Sequence, residues 1–267
     1  MLNYSVLGNP MGVSVALLHG IFGSANNWRG FIQKLLVKRP ELRFILIDLR
    51  NHGGSPHFSQ ENTLMQAATD VLDLQRIVGS FQGIIGHSFG GKVALQCANI
   101  PFYNEIEEVW ALDSTPGASV SDQEDQKEVE WVLQTLRKIA VPVSRRSVVK
   151  EELLSAGASM MISQWMTTNL KREAQGYVWK FNLDGIEQML ADYFVQDLWS
   201  VLEEPDLPMT ANLIRASRSD RWDEQSIGRL ENLPDRSNYY VLDAGHWLHS
   251  DNPDGLLTIL SNNLLCL

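Results

Sequence analysis

The decisive stretch is Gly83-Ile84-Ile85-Gly86-His87-Ser88-Phe89-Gly90-Gly91-Lys92. Gly86, Ser88 and Gly90 make a G-x-S-x-G pattern. The apolar pair Ile84-Ile85 leads in, and Val93, Ala94, Leu95 and Cys97 lead out as an amphipathic run. Strand, sharp turn and helix in that order form a nucleophile elbow. A non-glycine residue at the tip of so tight a turn is held at positive φ. Neighbours two positions away must be small, or strand and helix cannot pass each other. The pattern predicts Ser88 as a nucleophile, its hydroxyl held out at the carboxyl edge of a sheet and near a helix N-terminus. Five-residue matches also arise by chance in Gly- and Ser-containing loops, so the rest of the chain must supply the partners.

Upstream, Leu2 to Leu7 and Val13 to Leu18 read as extended, and Gly8-Asn9-Pro10 with Gly12 between them predicts a hairpin. The second piece runs into His19-Gly20-Ile21-Phe22-Gly23-Ser24. Trp28, Phe31, Ile32, Leu35 and Leu36 then fall at helical spacing. Phe44 to Leu49 reads as a buried parallel strand, followed by the polar turn Arg50-Asn51-His52-Gly53-Gly54-Ser55. Leu64, Ala67, Ala68, Val71 and Leu72 mark an amphipathic helix before the elbow strand. Val109 to Leu112 is a further buried strand, ending at Asp113. This alternation predicts an α/β fold with a mostly parallel, doubly wound sheet and right-handed crossovers.

From Ser114 to Pro208 no buried strand is evident. The acidic segment Ser121 to Glu130 begins a helix that Pro142 ends, and Val148 to Trp165 and Ile186 to Leu198 are helical in pattern. Strand signals resume at Ala211 to Ile214 and Tyr239 to Leu242, and Leu256 to Leu265 is a final amphipathic helix. The expected organisation is a core of residues 1–113 and 209–267 with a helical cap at 114–208.

The 267-residue chain is long enough to bury a sizeable core. Its net charge of -10 argues against nucleic acid and anionic membrane surfaces as partners. No apolar run is long enough to span a bilayer, and no secretory signal stands at the N-terminus. Cys97 and Cys266 form no disulfide framework, so a reducing, cytoplasmic compartment is the default, or an organelle if a targeting segment has been removed. Several of the eight tryptophans follow residue 130, which suggests an apolar surface or pocket there. No cluster has metal-ligand spacing and no dinucleotide fingerprint follows a strand, so no cofactor is implied.

Ser88 needs a base. His246 follows the strand Tyr239 to Leu242 through Asp243-Ala244-Gly245, at the same sheet edge as Ser88. His249, His19 and His52 read as packing or structural residues. The base needs a carboxylate to fix its tautomer and stabilise the imidazolium. Two aspartates lie at strand ends: Asp220, after Ala211 to Ile214, and Asp113. Asp220 is preferred, because it follows the strand before the histidine strand; Asp113 is the alternative. Oxyanion donors are expected from the backbone amides of Phe89 and Ile21, with Phe22 next.

These residues resemble the α/β-hydrolase superfamily: His19-Gly20 with Gly23-Ser24 and Trp28, Asp48-x-Arg50-Asn51-His52-Gly53-x-Ser55, Gly86-x-Ser88-x-Gly90-Gly91-Lys92 and Ala244-Gly245-His246-Trp247-x-His249. Lys92, Thr168-Asn169-Leu170 and Trp179-x-x-Asn182-Leu183-Asp184 resemble, more narrowly, the small serine esterases of the YbfF type and their mitochondrial relatives. The resemblance implies hydrolysis of short to medium acyl esters or thioesters, small molecules whose acyl group lodges under the cap. Where those relatives read Gly-Gly-Asn-Ser, this chain has Ala216-Ser217-Arg218-Ser219, and the resemblance leaves the acid open. It also draws attention to Asp184, whose Asn-Leu-Asp-Gly setting reads as a helix cap. Two alternatives use the same scaffold: C–C bond hydrolysis or a lyase reaction on the same triad, and a ligand-binding protein without catalysis.

Overall fold

The computed structural model describes residues 1–101, 105–118, 124–204, 206 and 208–265. The chain runs β1 (Tyr4–Gly8), β2 (Val13–Leu18), a short 3-10 turn (Ala25–Trp28), α1 (Arg29–Lys38), β3 (Leu42–Ile47), α2 (Leu64–Val78), β4 (Gly83–His87), α3 (Phe89–Ala98) and β5 (Glu108–Leu112). A second stretch holds α4 (Glu124–Lys138), α5 (Arg146–Ser155), α6 (Met160–Thr168), β6 (Leu170–Glu173), β7 (Gly176–Trp179), α7 (Leu183–Val195) and α8 (Trp199–Glu203). The chain closes with β8 (Thr210–Ala216), α9 (Glu224–Leu230), β9 (Ser237–Leu242), α10 (Leu248–Asp251) and α11 (Pro253–Asn263).

Seven strands form one sheet in the order β1-β3-β2-β4-β5-β8-β9. All neighbours are parallel except β1, which pairs antiparallel with β3. The expected β1–β2 hairpin is therefore corrected. The two strands are separated in the sheet by β3, and the Gly8-to-Gly12 turn carries the chain past it. Side chains alternate between two apolar layers with the period of two that a pleated strand imposes. In β2, Val15 and Leu17 pack with α1 and α11, while Ala16 and Leu18 pack with α2 and α3. Burial on both faces explains why these strands read as unbroken apolar runs.

The stretch between β5 and β8 carries more than helices. Leu170–Glu173 and Gly176–Trp179 pair as an antiparallel hairpin that sequence patterning did not reveal. Three of the four β6 residues are exposed, so no apolar run marks that strand. Gly157, at φ 100, separates the expected helix of residues 148–165 into α5 and α6. The expected helix start at Ser121 lies outside the described residues, as does Cys266.

Candidate active site

Ser88 joins β4 to α3 at φ 52 and ψ −120, the strained turn required of an elbow. The glycines are needed for space. A Cβ at Gly86 would come within 1.9 Å of the Gly90 carbonyl oxygen, and one at Gly90 within 2.5 Å of the His19 carbonyl oxygen. Ser88 borders a cavity of about 380 Å³, and so do Ile21, Phe22, His87, Asp220, Arg221 and His246. The stretch between β5 and β8 supplies Val129, Trp131, Val132, Met161, Ile162 and Trp165. Trp131 and Trp165, together with Trp247, account for the pocket that the tryptophan distribution suggested.

His246 follows β9, and its Nδ1 lies 2.7 Å from Asp113 Oδ2. Asp113 ends β5 at φ 44 and is fully buried. Its other oxygen, Oδ1, accepts from the Ala216 amide at 3.0 Å and from Trp222 Nε1 at 2.8 Å. Burial works to raise the Asp113 carboxyl, but the hydrogen bond and charge of His246, with Trp222, outweigh it and hold the group down at about 2. Asp113 is thus an anion, and Nδ1 of His246 carries the proton it donates. This corrects the preference for Asp220. Asp220 is exposed on the turn after β8 and borders the cavity mouth. It acts on His246 only through space. The physical reason is strand order. β5 lies between β4 and β8, so the end of β5 is directly beside the elbow, where the His246 loop must arrive.

Arg221 is a neighbour that sequence reasoning missed. Its Nε approaches His246 Nδ1 to 3.0 Å, a cation alongside the protonated nitrogen. Burial lowers the His246 pKa first and the Arg221 charge lowers it further, while Asp113 opposes both. Burial first, and the neighbouring His246 and His249 imidazoles after it, hold the His87 pKa well below its ordinary value. His87 Nε2 donates to the His246 carbonyl at 2.8 Å and pins the loop.

The amide of Phe89 is at the first position of α3, where no intrahelical acceptor exists. With the Ile21 amide, it is one of the two expected oxyanion donors. The Phe22 amide is committed elsewhere, donating to His52 Nε2 at 3.2 Å. His52 and His19 are both structural: His19 Nε2 accepts from the Leu49 amide at 3.0 Å. Phe22 itself is held at φ 56, and its carbonyl accepts from Asn169 Nδ2 at 2.7 Å. The Thr168-Asn169-Leu170 motif therefore braces the loop that carries Ile21. Asn182 caps α7, accepting from the Asp184 amide, and its own amide donates to the Asn51 carbonyl. Asp184 lies in the first turn of α7, exposed and paired with Arg137, away from Ser88 and His246. Among the described residues, no group of three or more His, Cys, Asp or Glu is placed to hold a metal ion.

An elbow serine, a buried Asp–His pair and an apolar cavity on a seven-stranded sheet define an α/β-hydrolase site. The sequence profile of the alpha/beta hydrolase family matches residues 15–259, and the chain belongs to that family. Among curated relatives, it is 29% identical over 263 residues to an sn-1-specific diacylglycerol lipase, ABHD11, of Danio rerio, covering 94% of this chain and 78% of that one. It is 26% identical over 268 residues to esterase YbfF of Escherichia coli K12, covering 94% and 92%. A solved marine microorganism esterase superposes with a TM-score of 0.85 over 98% of both chains at 24% identity, which supports the fold. The esterase and lipase names of the sequence relatives support hydrolase activity. No helix among the described residues is long and apolar enough to cross a membrane.

Proposed function

We propose that this protein is a serine carboxyl-ester hydrolase acting on short to medium acyl esters or thioesters, with the stretch between β5 and β8 serving as a cap over the site. The observation that carries the reading is the pairing of Asp113 with His246 Nδ1 beside a strained Ser88 in one cavity. His246 takes the Ser88 proton as Oγ attacks the acyl carbonyl. The amides of Phe89 and Ile21 stabilise the oxyanion, each by about 3 kcal/mol on the scale of a single removed donor. His246 then protonates the departing alcohol, and water resolves the acyl-enzyme by the same route. The cavity, about 380 Å³ and lined by Val129, Val132, Ile162 and Trp165, suits an acyl chain of modest length and excludes water. The esterase and lipase names of the relatives favour ester hydrolysis over C–C bond cleavage or binding alone.

The test is turnover of p-nitrophenyl esters of graded acyl length by the wild-type chain and by Ser88→Ala. Activity should peak at a modest chain length and fall by at least about 10⁴-fold in the variant. Ester hydrolysis unchanged by Ser88→Ala refutes the assignment.

A further inference from the structure

The turn after β8, where chain order predicted the acid, carries donors for the acid instead. The last residue of β8, Ala216, donates its amide to Asp113 Oδ1 at 3.0 Å, and Trp222 Nε1, past the turn, donates to the same oxygen at 2.8 Å. Trp222 is 8% exposed and Asp113 fully buried, a low-dielectric setting in which a hydrogen bond to a charged group is strong. A carboxylate has two equivalent oxygens and can turn about its Cβ–Cγ bond. Two donors converging on Oδ1 decide which oxygen is left for the histidine, and Oδ2 meets His246 Nδ1 at 2.7 Å.

The indole is held from both directions along the chain. Before it, the Ser217 amide donates to the Leu242 carbonyl at 2.8 Å and the Arg218 amide to the Ala244 carbonyl at 3.0 Å, so the turn is tied to the loop that carries His246. Arg218 also pairs with Asp243 on that loop. After it, Asp223 caps α9, its carboxylate accepting from the Ser226 amide at 2.7 Å. An indole offers a single N–H and no acceptor, and here that N–H is committed to Asp113. The side chain is therefore fixed beside the acid and is outside the lining of the catalytic cavity.

We propose that Trp222 is a positioning residue for the Asp113–His246 pair: its indole N–H pins Asp113 Oδ1, so that Oδ2 stays on His246 Nδ1 while the histidine takes up and returns a proton. The effect on rate rests on the serine-esterase reading above; the effect on the pair does not. Without the N–H, Oδ1 keeps only the Ala216 amide, and the carboxylate can rock away from the imidazole. Because Trp222 does not border the cavity, the loss falls on kcat rather than on KM.

The test removes the N–H and keeps the shape. β-(3-Benzothienyl)alanine in place of Trp222 retains the bicyclic ring with sulfur at the N–H position, and Trp222→Phe is the simpler companion. Two readouts are taken: kcat and KM for a p-nitrophenyl ester, and the far-downfield proton resonance of His246 Nδ1–H, which reports its hydrogen bond to Asp113. The benzothienyl variant should lower kcat about tenfold or more, the scale of one donor to a charged group, leave KM little changed and shift or broaden the resonance. In an Asp113→Ala background the same replacement should cost nothing further, because the acceptor is gone. Wild-type kcat and an unmoved resonance in the benzothienyl variant overturn the proposal, and so does a loss confined to KM or one seen only with Trp222→Phe, which would make the role one of packing. A wild-type chain that turns over no ester refutes the esterase reading, and the resonance alone then decides: moved by the benzothienyl ring, it upholds the positioning role, and unmoved, it overturns it.

Discussion

Replacing Asp113 by asparagine tests the catalytic arrangement most directly, because the surrounding donors dictate how the new amide must lie. Oδ1 of Asp113 accepts from the Ala216 amide and from Trp222 Nε1. Both are donors, so only the oxygen of the introduced amide can occupy that place. The amide NH₂ then takes the position of Oδ2, 2.7 Å from His246 Nδ1. A donor there forces Nδ1 to accept, and the imidazole proton moves to Nε2. The ring is then the wrong tautomer to take a proton from Ser88. The imidazolium formed during turnover also loses its counter-charge. On the scale of an Asp-to-Asn change at a triad, kcat should fall about 10⁴-fold, or about 5 kcal/mol of barrier. KM should change little, since Asp113 is fully buried behind the histidine. Steady-state hydrolysis of a p-nitrophenyl ester reads both parameters, and circular dichroism checks that the variant is folded. The paired control is Asp220→Asn, expected to stay within about tenfold of wild type because its carboxylate reaches His246 only through space. If Asp220→Asn loses several orders of magnitude and Asp113→Asn does not, the geometric reasoning is wrong and the preference drawn from chain order is restored.

Three further outcomes follow from the charged groups in and behind the site. His246 must be neutral to act as a base, and burial with the Arg221 guanidinium holds its pKa below the ordinary 6.5. The acid limb of kcat/KM therefore lies below pH 6.5, with activity falling as pH drops through that pKa. Arg221→Gln removes a cation 3.0 Å from Nδ1 and should move the limb to higher pH; a limb that stays or moves lower contradicts the assignment. Lys92 is fully buried on α3, and its Nζ donates to the carbonyls of Gly117 at 2.7 Å and Tyr193 at 2.8 Å. Lys92→Met keeps the volume but leaves those acceptors without the ammonium, and should destabilise the fold by about 2 kcal/mol in urea denaturation.

The parts of this fold legible in the sequence are those set by short-range pattern. The elbow was legible because glycine is the only residue that fits at Gly86 and Gly90, so the steric need is written in the residue type. The core strands were legible because burial on both faces leaves a continuous apolar run. The β6–β7 hairpin was not, since three β6 residues face outward and no β7 run longer than Tyr177-Val178-Trp179 marks it. The β1–β2 turn was misleading for a different reason. A Gly-Asn-Pro turn signals a reversal, but not which strand receives the returning chain. The acid belongs to the same class of problem. Asp220 and Asp113 both stand at strand ends, and chain order favours the wrong one for the contact with His246, Asp220. Only the lateral strand order, a non-local property, puts Asp113 beside the elbow. The buried pocket formed by the Ala216 amide and Trp222 Nε1 then selects it, and neither contact leaves a local signature.

The proposed cap and the proposed chemistry are mechanically one unit. Asn169 Nδ2, from the segment between α6 and β6, holds the Phe22 carbonyl, and Phe22 follows the expected oxyanion donor Ile21. The Asn182 amide, at the start of α7, donates to the carbonyl of Asn51, which is itself held at φ 64 in the turn after β3. Lys92, on the helix that Ser88 opens, reaches the chain leaving the sheet at Gly117 and the end of α7 at Tyr193. The Leu198 amide donates to the Pro116 carbonyl and closes the same region. The Asn169 tether ends next to the expected donor Ile21, the Lys92 and Leu198 tethers join the Ser88 helix and the chain entering the cap, and the Asn182 tether ends on the turn after β3. Displacing the cap would therefore release the Ile21 loop as well as open the cavity. An oxyanion donor moved by about 1 Å is enough to cost two orders of magnitude in rate. On the esterase reading, the Asn169 contact that ties the cap to the core is therefore also the one that braces the expected oxyanion loop.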